Sequence, residues 1–164
     1  MSAYGGKVTD NSIHEILFED VNTVDSEFLV LVLGKNLSTF KQSIRIEAEG
    51  QITKYWGLQD HYEFNGAIFF RWLPFPWDGF LDTSVAVGEG LSYASEIPEI
   101  EKEDGEETSR LLNYLAFELD FAVPGAPRFN LFTRLHHRSG IFGLINGVDG
   151  GSNMLGVGLK YTFQ

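Results

Sequence analysis

Apolar and polar residues alternate with a period of two along most of this chain, the pattern of strands with two unlike faces. The clearest case is HYEFNGAIFFRW, residues 61–72. Tyr62, Phe64, Gly66, Ile68, Phe70 and Trp72 form one face; His61, Glu63, Asn65, Ala67, Phe69 and Arg71 form the other. In SIRIEAEGQI, Ile44, Ile46, Ala48, Gly50 and Ile52 oppose Arg45, Glu47, Glu49 and Gln51. In LLNYLAFELDF, Leu115, Phe117, Leu119 and Phe121 oppose Tyr114, Ala116, Glu118 and Asp120. The final NMLGVGLKYTF sets Leu155, Val157, Leu159, Tyr161 and Phe163 against Met154, Gly156, Gly158, Lys160 and Thr162. Helical periodicity is scarce.

The alternation predicts eight strands, at 2–9, 26–36, 43–54, 61–73, 81–94, 111–122, 129–140 and 152–163. Connections near 37–42, 74–80 and 123–128 are short; those near 10–25, 55–60, 95–110 and 141–151 are mostly long and polar. An even strand number with short turns at one end and long loops at the other marks an eight-stranded antiparallel transmembrane β-barrel of the outer-membrane type. The whole chain, 1–164, reads as one such domain. The alternative is a soluble eight-stranded barrel with its apolar face inward. Against it, Arg45, Glu47, Glu49, Glu63, Arg71, Glu118, Asp120, Arg134, Arg138 and Lys160 mix both signs on the other face, a set that pairs well in a narrow lumen. Aromatic pairs near strand ends (Tyr55 and Trp56, Phe75 and Trp77, Tyr161 and Phe163) look like interfacial girdles. Eight strands give an interior that side chains fill, which argues against a pore.

Composition removes several chemistries. There is no cysteine, hence no disulfide, thiolate nucleophile or cysteine zinc site. The net charge of -11 disfavours a nucleic-acid partner. No apolar run is long enough for a transmembrane helix. Met1 is followed directly by SAYGGKV, without a secretory leader. That start suits a cytosolic protein or a mature exported one beginning at a supplied Met; the barrel pattern favours the second.

The segment RLHHRSG, 134–140, holds the candidate chemistry. Phe129, Leu131, Thr133, Leu135, His137 and Ser139 share the lipid-facing register, and Asn130, Phe132, Arg134, His136 and Arg138 the lumenal one. The two histidines therefore point in opposite directions and cannot ligate one metal. An imidazole facing lipid is costly, and is either an interfacial polar residue or a functional one. Asn153 opens the lipid-facing register of the last strand, at the end where the seventh finishes, so His137, Ser139 and Asn153 converge on the outer wall. In serine hydrolases a His takes the hydroxyl proton and a third polar group fixes its tautomer.

HHRSG, followed by a Gly-rich loop, GGSN and a terminal amphipathic strand, resembles the PagL-like lipid A 3-O-deacylases, also called acyloxyacyl-hydrolase-like proteins. The resemblance is specific over about 130–163 and extends in architecture to the whole chain. It implies an eight-stranded outer-membrane barrel that removes the ester-linked acyl chain at the 3-position of lipid A. The family's outward-facing His-x-Ser falls on His137 as base and Ser139 as nucleophile, and its Glu position falls on Asn153. Asn orients a His but brings no charge to an imidazolium. Asp149 in the loop and Glu89 on the apolar register of the fifth strand are the alternative third members. Gly140 stands where the family tends to place Asn, and its backbone N–H is a candidate oxyanion donor, as is the Asn113 side chain. The acidic stretch EIPEIEKEDGEE, 96–107, reads as a solvated loop, or else as a contact for divalent cations bridging lipopolysaccharide phosphates. The resemblance implies no cofactor or metal. It implies lipid A, lipopolysaccharide and outer-membrane lipids as partners in a bacterial outer membrane. A barrel that has lost the acid and only binds lipid is the competing reading.

Overall fold

The computed structural model describes residues 1–18, 20–102 and 108–163. Eight antiparallel strands close into a barrel in sequence order: β1 (Ser2–Thr9), β2 (Thr23–Phe40), β3 (Ile44–Gly57), β4 (Tyr62–Trp72), β5 (Asp82–Ala94), β6 (Leu111–Ala122), β7 (Phe129–Ser139) and β8 (Gly151–Tyr161). β1 pairs with β8, so no strand edge is left open.

The barrel is inside-out relative to a soluble one. Leu31 and Leu159 on the outer face are 60% and 66% exposed, whereas Arg134 in the lumen is 0% exposed. An apolar belt outside and charge inside is the fold of an outer-membrane barrel, not of a soluble one with an apolar core. The lumenal charges pair as their mixed signs predict. Glu118 accepts from Arg71 Nη2 at 2.6 Å, Arg134 Nε at 2.9 Å and Lys160 Nζ at 2.6 Å. Arg134 also reaches Glu49 at 2.8 Å. Tyr4, Phe28, Phe69, Tyr114 and Phe132 fill the remaining lumen. Gly158 admits them: a β-carbon there would lie 2.4 Å from Tyr4 Cβ. Toward the short-turn end the lumen opens into a polar cavity of about 530 Å³, lined by Arg45, Glu47, Asn130 and Lys160 among others.

Three local differences have physical causes. β2 runs past its expected end at 36 to Phe40, although LGKNLSTF is polar enough to read as a loop. Lys41 and Gln42 both have positive φ (50° and 59°), and Ser43 N–H bonds to Phe40 O at 3.0 Å. That is a type I′ turn, whose twist matches the strands and lets them pair up to the turn. Tyr55, expected in a girdle, is buried in the lumen with its hydroxyl 3.0 Å from Glu63 Oε2. It keeps the parity of Gln51 and Thr53, and Trp56 alone faces outward. The expected loop 10–25 contains a helix, α1 (Ile13–Phe18). Ser12 N–H donates to Glu15 Oε2 at 2.7 Å and Glu15 N–H to Ser12 Oγ at 3.4 Å, the reciprocal capping box that SIHE encodes.

Candidate active site

His137 and Asn153 are direct cross-strand partners between β7 and β8, both on the outer face. His137 Nδ1 lies 2.7 Å from Asn153 Oδ1. The other half of the Asn153 amide settles which atoms meet. Its Nδ2 donates to the backbone carbonyl of Asn11 at 2.9 Å, and a carbonyl can only accept. Oδ1 therefore faces the imidazole, Nδ1 carries the proton, and Nε2 is left with a free lone pair. The unprotonated nitrogen is the one directed away from β8.

Asn11 is itself held. Its Oδ1 accepts from Asn22 N–H at 2.6 Å and from Thr9 Oγ1 at 3.0 Å, and its own N–H donates to Thr9 Oγ1 at 3.1 Å. Thr9 is the β1 partner of Asn153, and this knot folds the loop after β1 back over the outer wall, burying Thr9. The expected site did not include Asn11 or Thr9. The only local signal was the T-x-N spacing at the end of β1, typical of a polar turn.

Ser139 follows His137 on the same face, roughly 7 Å along the strand, within reach of a hydroxyl and an imidazole that turn toward each other. It is half-buried and pairs across β6 with Asn113, whose side chain shares its face. No hydrogen bond joins Ser139 Oγ to His137 among the described residues. Catalytic contacts of this kind are commonly long before substrate binds. Arg138, between the two, points into the lumen. It bonds Glu101 Oε1 at 2.6 Å and the carbonyls of Ser109 and Arg110 at 2.6 and 2.7 Å. Ser152 on β8 donates to the same Glu101 at 2.9 Å. The tops of β7 and β8 are thus tied together behind the site.

The other expected residues fall less favourably. Gly140 N–H is spent on Gly150 O at 3.3 Å, so it is not a free oxyanion donor. It packs so tightly that a β-carbon would meet Val148 O at 1.9 Å. Asp149 is exposed in the loop, with Oδ1 beside the position of Gly143, while His137 Nδ1 already has its partner in Asn153. Glu89 faces outward, as its register predicts, but Leu115 stands between it and His137. Two strand spacings, about 10 Å, separate their backbones. His136 is in the lumen as expected, with Nε2 3.0 Å from Glu63 Oε1 and Nδ1 3.2 Å from Tyr4 Oη. The acidic stretch is more than a solvated loop at Glu101, which is buried; residues 103–107 lie outside the described ones. Among the described residues no group of three or more His, Cys, Asp or Glu is placed to hold a metal.

The pairing also gives the depth of the site. From His137 one row of partners runs through Leu115, Glu89, Ile68 and Ala48 to Lys35, near the short-turn end of β2. The other way it runs through Asn153 and Thr9 to Thr23, at the long-loop end of the same strand. Rows therefore slope by roughly 3 Å per strand at a tilt of about 40°. This sets Ser139 and Asn153 level with outward-facing Tyr62 and Tyr93, an aromatic belt of the kind that marks the interface. Glu89 lies deeper. Above the site, Phe142 on the loop 140–150 is 94% exposed.

No protein-family model matches the chain, and no curated protein sequence matches it. Among solved structures it is similar to the crystal structure of the outer membrane enzyme PagL, with a TM-score of 0.66 and 14% identity over 99% of this chain and 98% of that one. At that identity the likeness is one of fold, and it extends over the whole barrel.

Proposed function

We propose that the protein is an outer-membrane serine esterase that removes the 3-O-linked acyl chain of lipid A. The observation that carries this reading is the alignment Asn11 O, Asn153, His137, which leaves the basic nitrogen of an imidazole free on the lipid-facing wall beside Ser139. Its level, at the aromatic belt, is where a lipid's ester linkages lie. The His-x-Ser motif and the likeness to an outer membrane enzyme point the same way.

In this mechanism Ser139 Oγ attacks the ester carbonyl while His137 Nε2 takes its proton. The carbonyl oxygen becomes an oxyanion, and the Asn113 amide, on the same face across from Ser139, donates to it in this mechanism. The intermediate collapses, and the sugar oxygen leaves with the proton from His137. Water, deprotonated by the same nitrogen, then cleaves the acyl-enzyme and frees the fatty acid. Asn153 holds the imidazole in its tautomer throughout without adding charge. The acyl chain runs down the outer wall over Leu155, so no deep pocket is needed.

The neutral Asn153, where the resembling family has Glu, favours a second reading, a barrel that binds lipid A without cleaving it. Purified protein in vesicles containing lipid A separates the two. The esterase releases the 3-linked fatty acid and Ser139→Ala does not; equal, background release from both leaves the binding reading.

A further inference from the structure

β1 carries a cation on the apolar wall. Lys7 pairs with Leu155 on β8 and Glu27 on β2, which sets its side chain outward, and it is exposed. Three of the other lysines are neutralised: Lys54 by Asp60, Lys102 by Glu99, and Lys160 by Glu118 and Asp120; Lys41 lies in the short turn after β2. Lys7 makes no ion pair among the described residues, although Glu27 is its cross-strand neighbour. The strands' other outward lysine besides Lys54 is Lys35, near the short-turn end. An ionisable side chain on a lipid-facing wall is costly and calls for a partner.

The row geometry places that partner. Thr9 is two strands up the slope from His137, and Lys7 is one same-face position back down from Thr9. The two displacements nearly cancel, leaving Lys7 within about 2 Å of the level of His137 and two strand spacings, about 10 Å, to its side. The lysine arm closes roughly half of that gap. Ser139 stands four residues above the row of Lys7 and Leu155, so the two backbones are roughly 16 Å apart with Lys7 about 4 Å the deeper, and the lysine arm snorkels upward toward a head group spread beside Ser139. Around Lys7 the wall is acidic: Glu27 and Asp25 follow on the same face of β2, in a chain of net charge -11. On such a wall an anionic head group is attracted at Lys7 and repelled above it, which fixes its orientation.

We propose that Lys7 holds a lipid-borne phosphate and seats the lipid so that its ester meets Ser139. This rests on the esterase reading for its purpose but not for its test. Binding is measured by native mass spectrometry on the full-length chain carrying Ser139→Ala, in detergent, with lipid A and with phosphatase-treated lipid A. Lys7→Met is expected to weaken lipid A binding about tenfold, the loss of one charge-assisted contact. It should leave the dephosphorylated lipid unaffected. Lys7→Arg should retain binding, and Glu27→Gln should strengthen it. Millimolar inorganic phosphate should not displace the lipid. Equal binding of lipid A by Lys7→Met and its parent overturns the proposal, as does full displacement by free phosphate. A phosphate-dependent loss in a protein whose Ser139 form releases no fatty acid would retain the Lys7 site and refute the esterase.

Discussion

Asn153 Oδ1 meets His137 Nδ1 at 2.7 Å across the β7–β8 pair, and the Asn153 amide is locked from behind by the Asn11 carbonyl. The pair needs no charge to select a tautomer. Asn153→Ala is expected to cut the rate of fatty-acid release by up to about 10⁴, the loss that follows when a triad's orienting member is replaced. Asn153→Glu brings a charge but sets a carboxylate oxygen against the Asn11 carbonyl, so it should not exceed the parent rate. Steady-state kinetics on lipid A check both; a silent Asn153→Ala would shift the third role to Asp149.

Asn11 should matter through its side chain even though its carbonyl makes the contact. Asn11→Ala frees the loop from Asn22 and Thr9 and should lower kcat about tenfold with KM little changed, since it disturbs orientation and not substrate contact. Asn11→Asp keeps both acceptor contacts and should stay near the parent.

The facing of the strands is directly testable because the chain has no native cysteine to confuse labelling. Cysteines at Leu131, Val157 and Leu159 should react with lipid-phase probes, and those at Arg134, His136 and Met154 should not. Leu135 also faces outward but is only 5% exposed, so it is a poor reporter. The reverse labelling pattern would mean the two faces are exchanged.

Glu118 binds three lumenal cations, Arg71, Arg134 and Lys160. Glu118→Ala leaves them facing one another with too few carboxylates and should destabilise the barrel by about 3–5 kcal/mol. The midpoint of heat-induced change in gel mobility reads this out. Glu47→Ala, at the more open end of the same network, should cost much less.

The alternation made the barrel legible, because a strand's faces are fixed by parity alone. The same rule separated His136 from His137 and brought Asn153 to the correct side. What parity does not encode is loop closure. The Asn153–Asn11 contact joins positions 142 residues apart through a turn whose shape depends on side-chain bonds to Thr9 and Asn22. The fate of the Gly140 N–H was equally hidden. It depends on a loop in which Ile141 and Phe142 adopt positive φ, a conformation that neither residue type suggests. The β2–β3 hairpin reads shorter in sequence than it is, because polarity imitates a loop where it marks only a pair of strands leaving the apolar belt.

The most direct test is mass spectrometry of lipid A extracted from Gram-negative cells expressing the protein. The account predicts lipid A lacking its 3-O-linked acyl chain in cells with the parent protein and with His136→Ala. It predicts intact lipid A with Ser139→Ala or His137→Ala, all four barrels being folded in the outer membrane. Intact lipid A from every strain, or the same loss of the chain with Ser139→Ala as with the parent, would contradict it.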